Sequence, residues 1–220
     1  MARETKDQRA NRARAILRRL KKARPDARLE LEFSSPLELL VATVLAAQAT
    51  DKRVNEVTRD LFRRYPTAQD YAGADLHRLQ GEIKPTGFYR KKAEALIAIG
   101  RQLAEQHGGQ VPDTMEALLA LRGVARKTAN MVLGSAMGIA AGVVVDTHVA
   151  RVAPRMGLTR QKTPEKIEQD LMTLLPRKDW IAFGVHGTLH GRYVCVARKP
   201  HCSACPVAGL CPRVDVTNAQ

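Results

Sequence analysis

The sequence predicts an all-α fold in two domains, and composition and helix signals carry that reading. Ala and Leu are abundant, whereas aromatic residues make up only 4% and runs of β-branched residues are sparse, which favours helices over sheets. Helix-start signals recur along the chain ahead of apolar runs, with short connections, no internal repeat and no low-complexity tract.

In chain order, Met1 to Arg24 carries ten basic and two acidic residues, with Ile16, Leu17 and Leu20 at helical spacing. It lacks the apolar region of a secretory signal and reads as a basic helix of the mature protein. Ser35-Pro36-Leu37-Glu38 is a capping box with proline at the first helical position. The run behind it, from Leu39 to Ala47, is apolar nearly all round and predicts a central helix. Thr50 or Asp51 can cap the next helix, which places Val54, Val57, Leu61 and Phe62 on one face. Thr67 with Asp70, and Asp75 ahead of Leu76, mark two short starts. Gly87-Phe88-Tyr89 reads as a turn before a helix from Arg90 to Gln106, which Gly108-Gly109 ends. Asp146 is a natural N-cap for Thr147 to Met156, and Thr163-Pro164 opens a helix through Leu175. About nine or ten helices result, and Gly138 to Gly142 is the best boundary between domains. The predicted division is 29–139 against 1–28 plus 140–220.

The centre of the chain is Leu121-Arg122-Gly123-Val124-Ala125-Arg126-Lys127-Thr128-Ala129-Asn130. Asp113 and Glu116 suggest a capped helix start before it, and Gly123 falls where a helix stops by entering a left-handed turn. A second apolar helix runs from Arg126 to Met137. Two helices joined by a tight glycine-bearing turn form a helix–hairpin–helix, whose backbone N–H groups suit a phosphate. Lys127 falls in the first turn of the second helix, where the macrodipole and Arg126 both oppose its charge and favour the neutral amine. That helix is about 18 Å long at ~1.5 Å per residue. The following linker extends about 26 Å at ~3.3 Å per residue, so it can return Asp146 to the neighbourhood of Lys127, across a groove between the domains. A lysine of lowered basicity beside a carboxylate, on a phosphate-binding turn, is an activated nucleophile.

The net charge of +14 and pI near 10.1 point to a polyanionic partner. No apolar run approaches the ~20 residues needed to span a bilayer. All four cysteines, Cys195, Cys202, Cys205 and Cys211, follow a C-x6-C-x2-C-x5-C pattern. Nothing in the chain suggests secretion, so thiolate ligation is expected rather than disulfides. Spacing alone leaves both zinc and a [4Fe–4S] cluster open. Arg198 and Lys199 between the first two cysteines, with Arg192 ahead of them, read either as a phosphate clamp pinned by the metal centre or as an ordinary solvated basic loop.

Four motifs in order carry a resemblance over about Leu29 to Pro212. They are Ala47-Gln48-Ala49-Thr50-Asp51, Arg126-Lys127-Thr128-Ala129 in the hairpin, Val145-Asp146-Thr147-His148, and His190-Gly191-Arg192-Tyr193 leading into the cysteines. With them the chain resembles the endonuclease III family of the helix–hairpin–helix superfamily. The resemblance implies an all-α two-domain glycosylase fold with a C-terminal [4Fe–4S] cluster held by the four cysteines. It implies excision of damaged, oxidised pyrimidines from duplex DNA and strand cleavage at abasic sites by β-elimination through a lysine Schiff base. Lys127 would then be the nucleophile and Asp146 the catalytic carboxylate. Gln48 matches the glutamine that fills the gap left by the extruded nucleotide. Phe88 falls where the family places an apolar wedge, though a core aromatic beside Tyr89 is equally compatible. Hairpin residues Arg122, Gly123, Val124, Ala125, Arg126 and Thr128, together with His148, Arg192, Arg198 and Lys199, complete the expected DNA-facing set. Within it, His148 reads first as support for the Asp146 segment. A monomer in the cytoplasm, at the nucleoid, is expected.

Two positions depart from the family's Leu-Pro-Gly-Val-Gly: Arg122 replaces the proline and Ala125 the second glycine. If position 125 needs positive φ, alanine costs about 1 kcal/mol there. A pyrimidine-dimer or mismatch glycosylase of the same superfamily, or a non-catalytic damage sensor, are the alternative readings.

Overall fold

The computed structural model describes residues 4–220; Met1, Ala2 and Arg3 of the basic segment lie outside the described residues. Eleven α-helices form among them. In order they are α1 (Lys6–Ala23), α2 (Pro36–Leu45), α3 (Asp51–Arg64), α4 (Ala68–Ala72), α5 (Leu76–Ile83), α6 (Tyr89–Gln106), α7 (Met115–Ala120), α8 (Arg126–Met131), α9 (Thr147–Arg155), α10 (Pro164–Leu174) and α11 (Trp180–Tyr193). The chain divides into two compact units. One is Leu29–Ile139, and the other joins the segment ending at Arg28 to Ala140–Gln220.

Within Leu29–Ile139 the core forms where apolar helical faces converge. Leu39, Leu40 and Leu45 of α2, Leu79 and Ile83 of α5, and Leu96, Ile99 and Leu103 of α6 are each at most 1% exposed. Each such side chain contributes roughly 1.5–3 kcal/mol on burial. At Gly100 a Cβ would meet the Ala72 backbone nitrogen at 2.6 Å, so only glycine lets α4 and α6 approach this closely. Thr50, Thr67 and Asp75 cap α3, α4 and α5, each accepting from the backbone N–H three residues on.

Three local details differ from expectation. Thr114, not Asp113, caps α7, because its hydroxyl reaches the Ala117 N–H. Ser35 caps α2, but the Glu38 carboxylate turns to the Ser34 N–H and hydroxyl, so the reciprocal half of the capping box is displaced by one residue. The helix expected from Arg126 to Met137 is α-helical only to Met131 and widens into a π-turn over Val132–Ala136.

In the second unit α1 supplies Ala13, Ile16, Leu17 and Leu20 to a core shared with α9, α10 and Phe183 of α11. The basic helix is thus amphipathic, and one of its arginines is structural: Arg12 donates to Met156 O, Gly157 O and Leu210 O while pairing with Glu4. Helix α11 lacks a side-chain cap and carries Gly184, Gly187 and Gly191, so its sequence does not announce a helix. Packing explains the glycines. A Cβ at Gly191 would meet the His148 Cβ at 2.8 Å, and one at Gly187 would meet Val149 at 3.2 Å, so the bare stripe seats α11 against α9.

Candidate active site and nucleic-acid interface

The hairpin is built from a left-handed turn between two apolar pegs. Leu121 and Val124 are 2% and 6% exposed, while Arg122, Gly123, Ala125 and Lys127 face solvent. Gly123 has φ +79, and the Val124 N–H closes the turn on Leu121 O at 3.1 Å. Ala125 then adopts extended backbone, φ −92 and ψ 165, as the residue that starts α8. Position 125 therefore does not need positive φ, and alanine carries no strain there. The turn also has a clamp that motif reading missed. The Gln102 side chain accepts from the Arg122 N–H at 2.8 Å and donates to Ala120 O at 3.2 Å. A proline at 122 would have no N–H to give, so the bond needs the residue that departs from the family's proline to be anything but proline. Lys127 is exposed in the first turn of α8.

Gln48 and Phe88 lie in the same unit, each at the lip of a turn. Both side chains are exposed, and both backbones are left-handed, with φ 56 and φ 49. Such values are uncommon outside glycine and cost about 1 kcal/mol. Phe88 is 62% exposed, so the core-aromatic reading fails: the ring forgoes burial and projects outward.

In the other unit Asp146 caps α9. Its Oδ1 accepts from the His148 N–H at 2.9 Å and the Val149 N–H at 2.8 Å, and these bonds fix the carboxylate's direction. His148 Nδ1 lies 3.3 Å from Arg151 Nη2. That guanidinium also donates to Gly191 O at 2.7 Å and, through Nε, to Cys195 O at 3.2 Å. Arg155, one turn on, donates to Val196 O at 2.8 Å and Ala197 O at 2.9 Å, and reaches Cys195 Sγ at 3.6 Å. These two arginines hold the start of the cysteine loop, another role that motif reading missed. Their spacing of four, directly after the Asp146 motif, was the available signal. Beyond them Arg198 and Lys199 are exposed, Lys199 with φ 51. Arg192 is half-buried at the end of α11, and Arg24 lies over the Tyr193 ring at 4.6 Å.

The four cysteines are partly buried and unbridged. Burial, and after it the neighbouring cysteines, pushes the Cys205 and Cys211 thiols up, while backbone hydrogen bonds at Val207 and Arg213 oppose this. Thiols that feel one another, ringed by amide donors, form a donor set for a metal centre. Four thiols within the seventeen residues from Cys195 to Cys211 suit a cluster with one thiolate at each iron. His190 Nε2 lies 3.8 Å from Cys205 Sγ, and burial, aided by Arg24, pushes its pKa down to about 4, so the ring is neutral at pH 7.

Residues 41–177 match the model of the HhH-GPD superfamily base excision DNA repair proteins. Residues 195–211 match the iron–sulfur binding domain of endonuclease III, and this C-terminal stretch binds a [4Fe–4S] cluster. The chain is 51% identical to endonuclease III of Synechocystis sp. over 206 residues, 94% of each protein. It is 42% identical to that of Escherichia coli K12 over 204 residues, 91% of this chain and 96% of the relative. A solved structure of endonuclease III in a trapped covalent intermediate with DNA superposes with TM-score 0.87 at 38% identity, over 93% of this chain and 96% of that one. By descent, fold and cysteine pattern together, the chain belongs to the endonuclease III family and is a DNA-binding glycosylase and abasic-site lyase of base excision repair.

Proposed function

We propose that this glycosylase removes oxidised pyrimidines from duplex DNA with Lys127 as nucleophile and Asp146 as the carboxylate that serves it. The observation that carries the reading is the hairpin, where an exposed Lys127 stands two residues beyond the extended Ala125. The damaged nucleotide leaves the stack most cheaply where pairing or stacking is already weak. Gln48 fills the space it vacates, and Phe88 wedges the neighbouring step. The amine of Lys127 attacks C1′ of the deoxyribose and the base departs, with Asp146 accepting the proton and stabilising the cationic sugar. The Schiff base acidifies the C2′ proton, and β-elimination cuts the strand on the 3′ side of the lesion.

Turn amides and cations from Arg122 to Thr128 hold one phosphate region, while Arg192, Arg198 and Lys199 hold another. His148, in reach of Arg151, supports the Asp146 segment. Cys195, Cys202, Cys205 and Cys211 would hold the cluster, and Cys195 and Cys202 would pin the two ends of the Arg198/Lys199 loop to it. The enzyme acts as a monomer in the cytoplasm, at the nucleoid; among the described residues no helix is long and apolar enough to cross a membrane.

Borohydride trapping on a duplex with one thymine glycol tests the reading. Wild type forms a covalent adduct and Lys127→Ala forms none. A wild type that binds this duplex without trapping, but traps on a pyrimidine dimer, would move the substrate class. Trapping that persists in Lys127→Ala would remove Lys127 from the chemistry.

A further inference from the structure

Lys92 has no part in the chemistry above, yet it occupies an unusual position. It lies in α6, one turn past Phe88, and is only 5% exposed. Its ammonium donates to Leu45 O at 2.7 Å and to Thr86 O at 2.8 Å. Burial pushes its pKa down, so the interior disfavours this charge, and a methionine would fill the same space without that penalty. What methionine lacks is the pair of donors.

The two acceptors belong to different loops. Leu45 is the last residue of α2, where the carbonyl end of the helix favours a cation. Three residues later stands Gln48 with φ 56. Thr86 closes a short 3-10 turn whose hydroxyl is already satisfied by Ile83 O at 2.8 Å. Two residues later stands Phe88 with φ 49. A helix cap needs only the first acceptor. One ammonium that spans both ties the loop carrying Gln48 to the turn carrying Phe88, and does so below the two exposed side chains.

We propose that Lys92 is a positioning residue, an internal strut that fixes the separation of Gln48 and Phe88 so that both enter the duplex as one unit. The inference rests on the DNA-entering roles proposed for those two side chains. A strut differs from a mere stabiliser in what its loss couples to. Without it each loop still carries its side chain, but the two no longer arrive at a fixed spacing, and extrusion of a stacked base suffers while chemistry on an extruded sugar does not.

The test is a double-mutant cycle with single-turnover kinetics on two duplexes, one with a thymine glycol and one with a preformed abasic site, which has no base to extrude. Lys92→Met slows excision at thymine glycol by about tenfold or more, the scale of a small misplacement, while strand cleavage at the abasic site stays within about twofold. Gln48→Ala slows excision in wild type but costs much less in the Lys92→Met background, because the pair is already uncoupled. Equal losses on both duplexes, or Gln48→Ala effects that add to within about twofold, would make Lys92 a structural residue only and overturn the strut. Gln48→Ala without effect in wild type would overturn the reading of Gln48 itself, and the strut with it. Should Lys92→Met fail to fold, the same cycle is read in Lys92→Gln, whose shorter amide cannot span both carbonyls.

Discussion

The hairpin at Leu121 to Lys127 and the loop from Cys195 to Cys202 both leave cations in solvent, but they are held in opposite ways. In the hairpin the chain holds itself: Gly123 takes φ +79, the Val124 N–H closes on Leu121 O, and two buried pegs set the turn. The neutral amide of Gln102 clamps it from a side chain. The cysteine loop is held from outside, by Arg155 on Val196 O and Ala197 O, by Arg151 on Cys195 O, and by the thiols proposed to carry the cluster. A turn encoded in its own backbone keeps its shape when distant parts change. A loop tethered by long cations and a metal centre is lost as a unit. The first kind suits a nucleophile, whose placement must be accurate, and the second suits a grip on phosphate.

Lys127→Ala gives the largest expected effect and separates chemistry from grip. Removing the proposed nucleophile lowers excision and trapping by at least about a thousandfold, with duplex affinity changed only a few-fold because the turn survives. Arg198→Ala is the counterpart in the cysteine loop. It weakens binding to all duplexes alike and lowers the slope of log K against log salt by about one, with the single-turnover rate at saturation unchanged. A change in that saturated rate would break the division of labour between the two regions.

Arg155→Met comes next. It removes two charged hydrogen bonds to carbonyls and the approach to Cys195 Sγ, each bond contributing about 1.5–3 kcal/mol when the donor is ionised. A shift of the urea midpoint, and faster loss of the brown colour under oxidation, would register the effect. Amide exchange then decides whether the regions are independent: protection falls around Cys195 to Cys202 and persists at Val124 and Ala129. Loss of protection at both places would show that the cysteine loop supports the hairpin after all.

The same contrast explains what could be read from the sequence. Thr50, Thr67, Asp75 and Asp146 are legible as caps because each acts on an N–H two or three residues away. Gly123 is legible for the same reason. Lys92 and Gln102 are not, since Leu45 and Arg122 lie 47 and 20 residues away and nothing local marks them, and Arg151, whose partner Cys195 lies 44 residues away, is marked only by its spacing from Arg155. Helix α11 escaped notice because its glycines answer to the packing of α9 rather than to helix propensity. Exposure is equally non-local: the letters at 88 fit a wedge or a core ring, and only the fold leaves Phe88 in solvent.

The smallest effects test the hairpin's self-sufficiency residue by residue. A Cβ at Gly123 would make only an ordinary contact, with the Ala95 Cβ at 3.9 Å. Gly123→Ala therefore costs only the left-handed backbone, about 1–2 kcal/mol. Ala125 sits at φ −92, where alanine is at ease, so Ala125→Gly supplies no conformation the native turn uses. It gives the unfolded chain more freedom and lowers stability by about 0.5–1 kcal/mol. Urea unfolding of the two variants should thus rank them in that order, with both below wild type. The second result carries the argument, because Ala125→Gly restores the residue the family pattern has at that place. If it raised stability instead, position 125 would favour a backbone that alanine resists. The hairpin would then be strained rather than self-sufficient, held partly by Gln102, and Gln102→Ala would cost more in wild type than in Ala125→Gly.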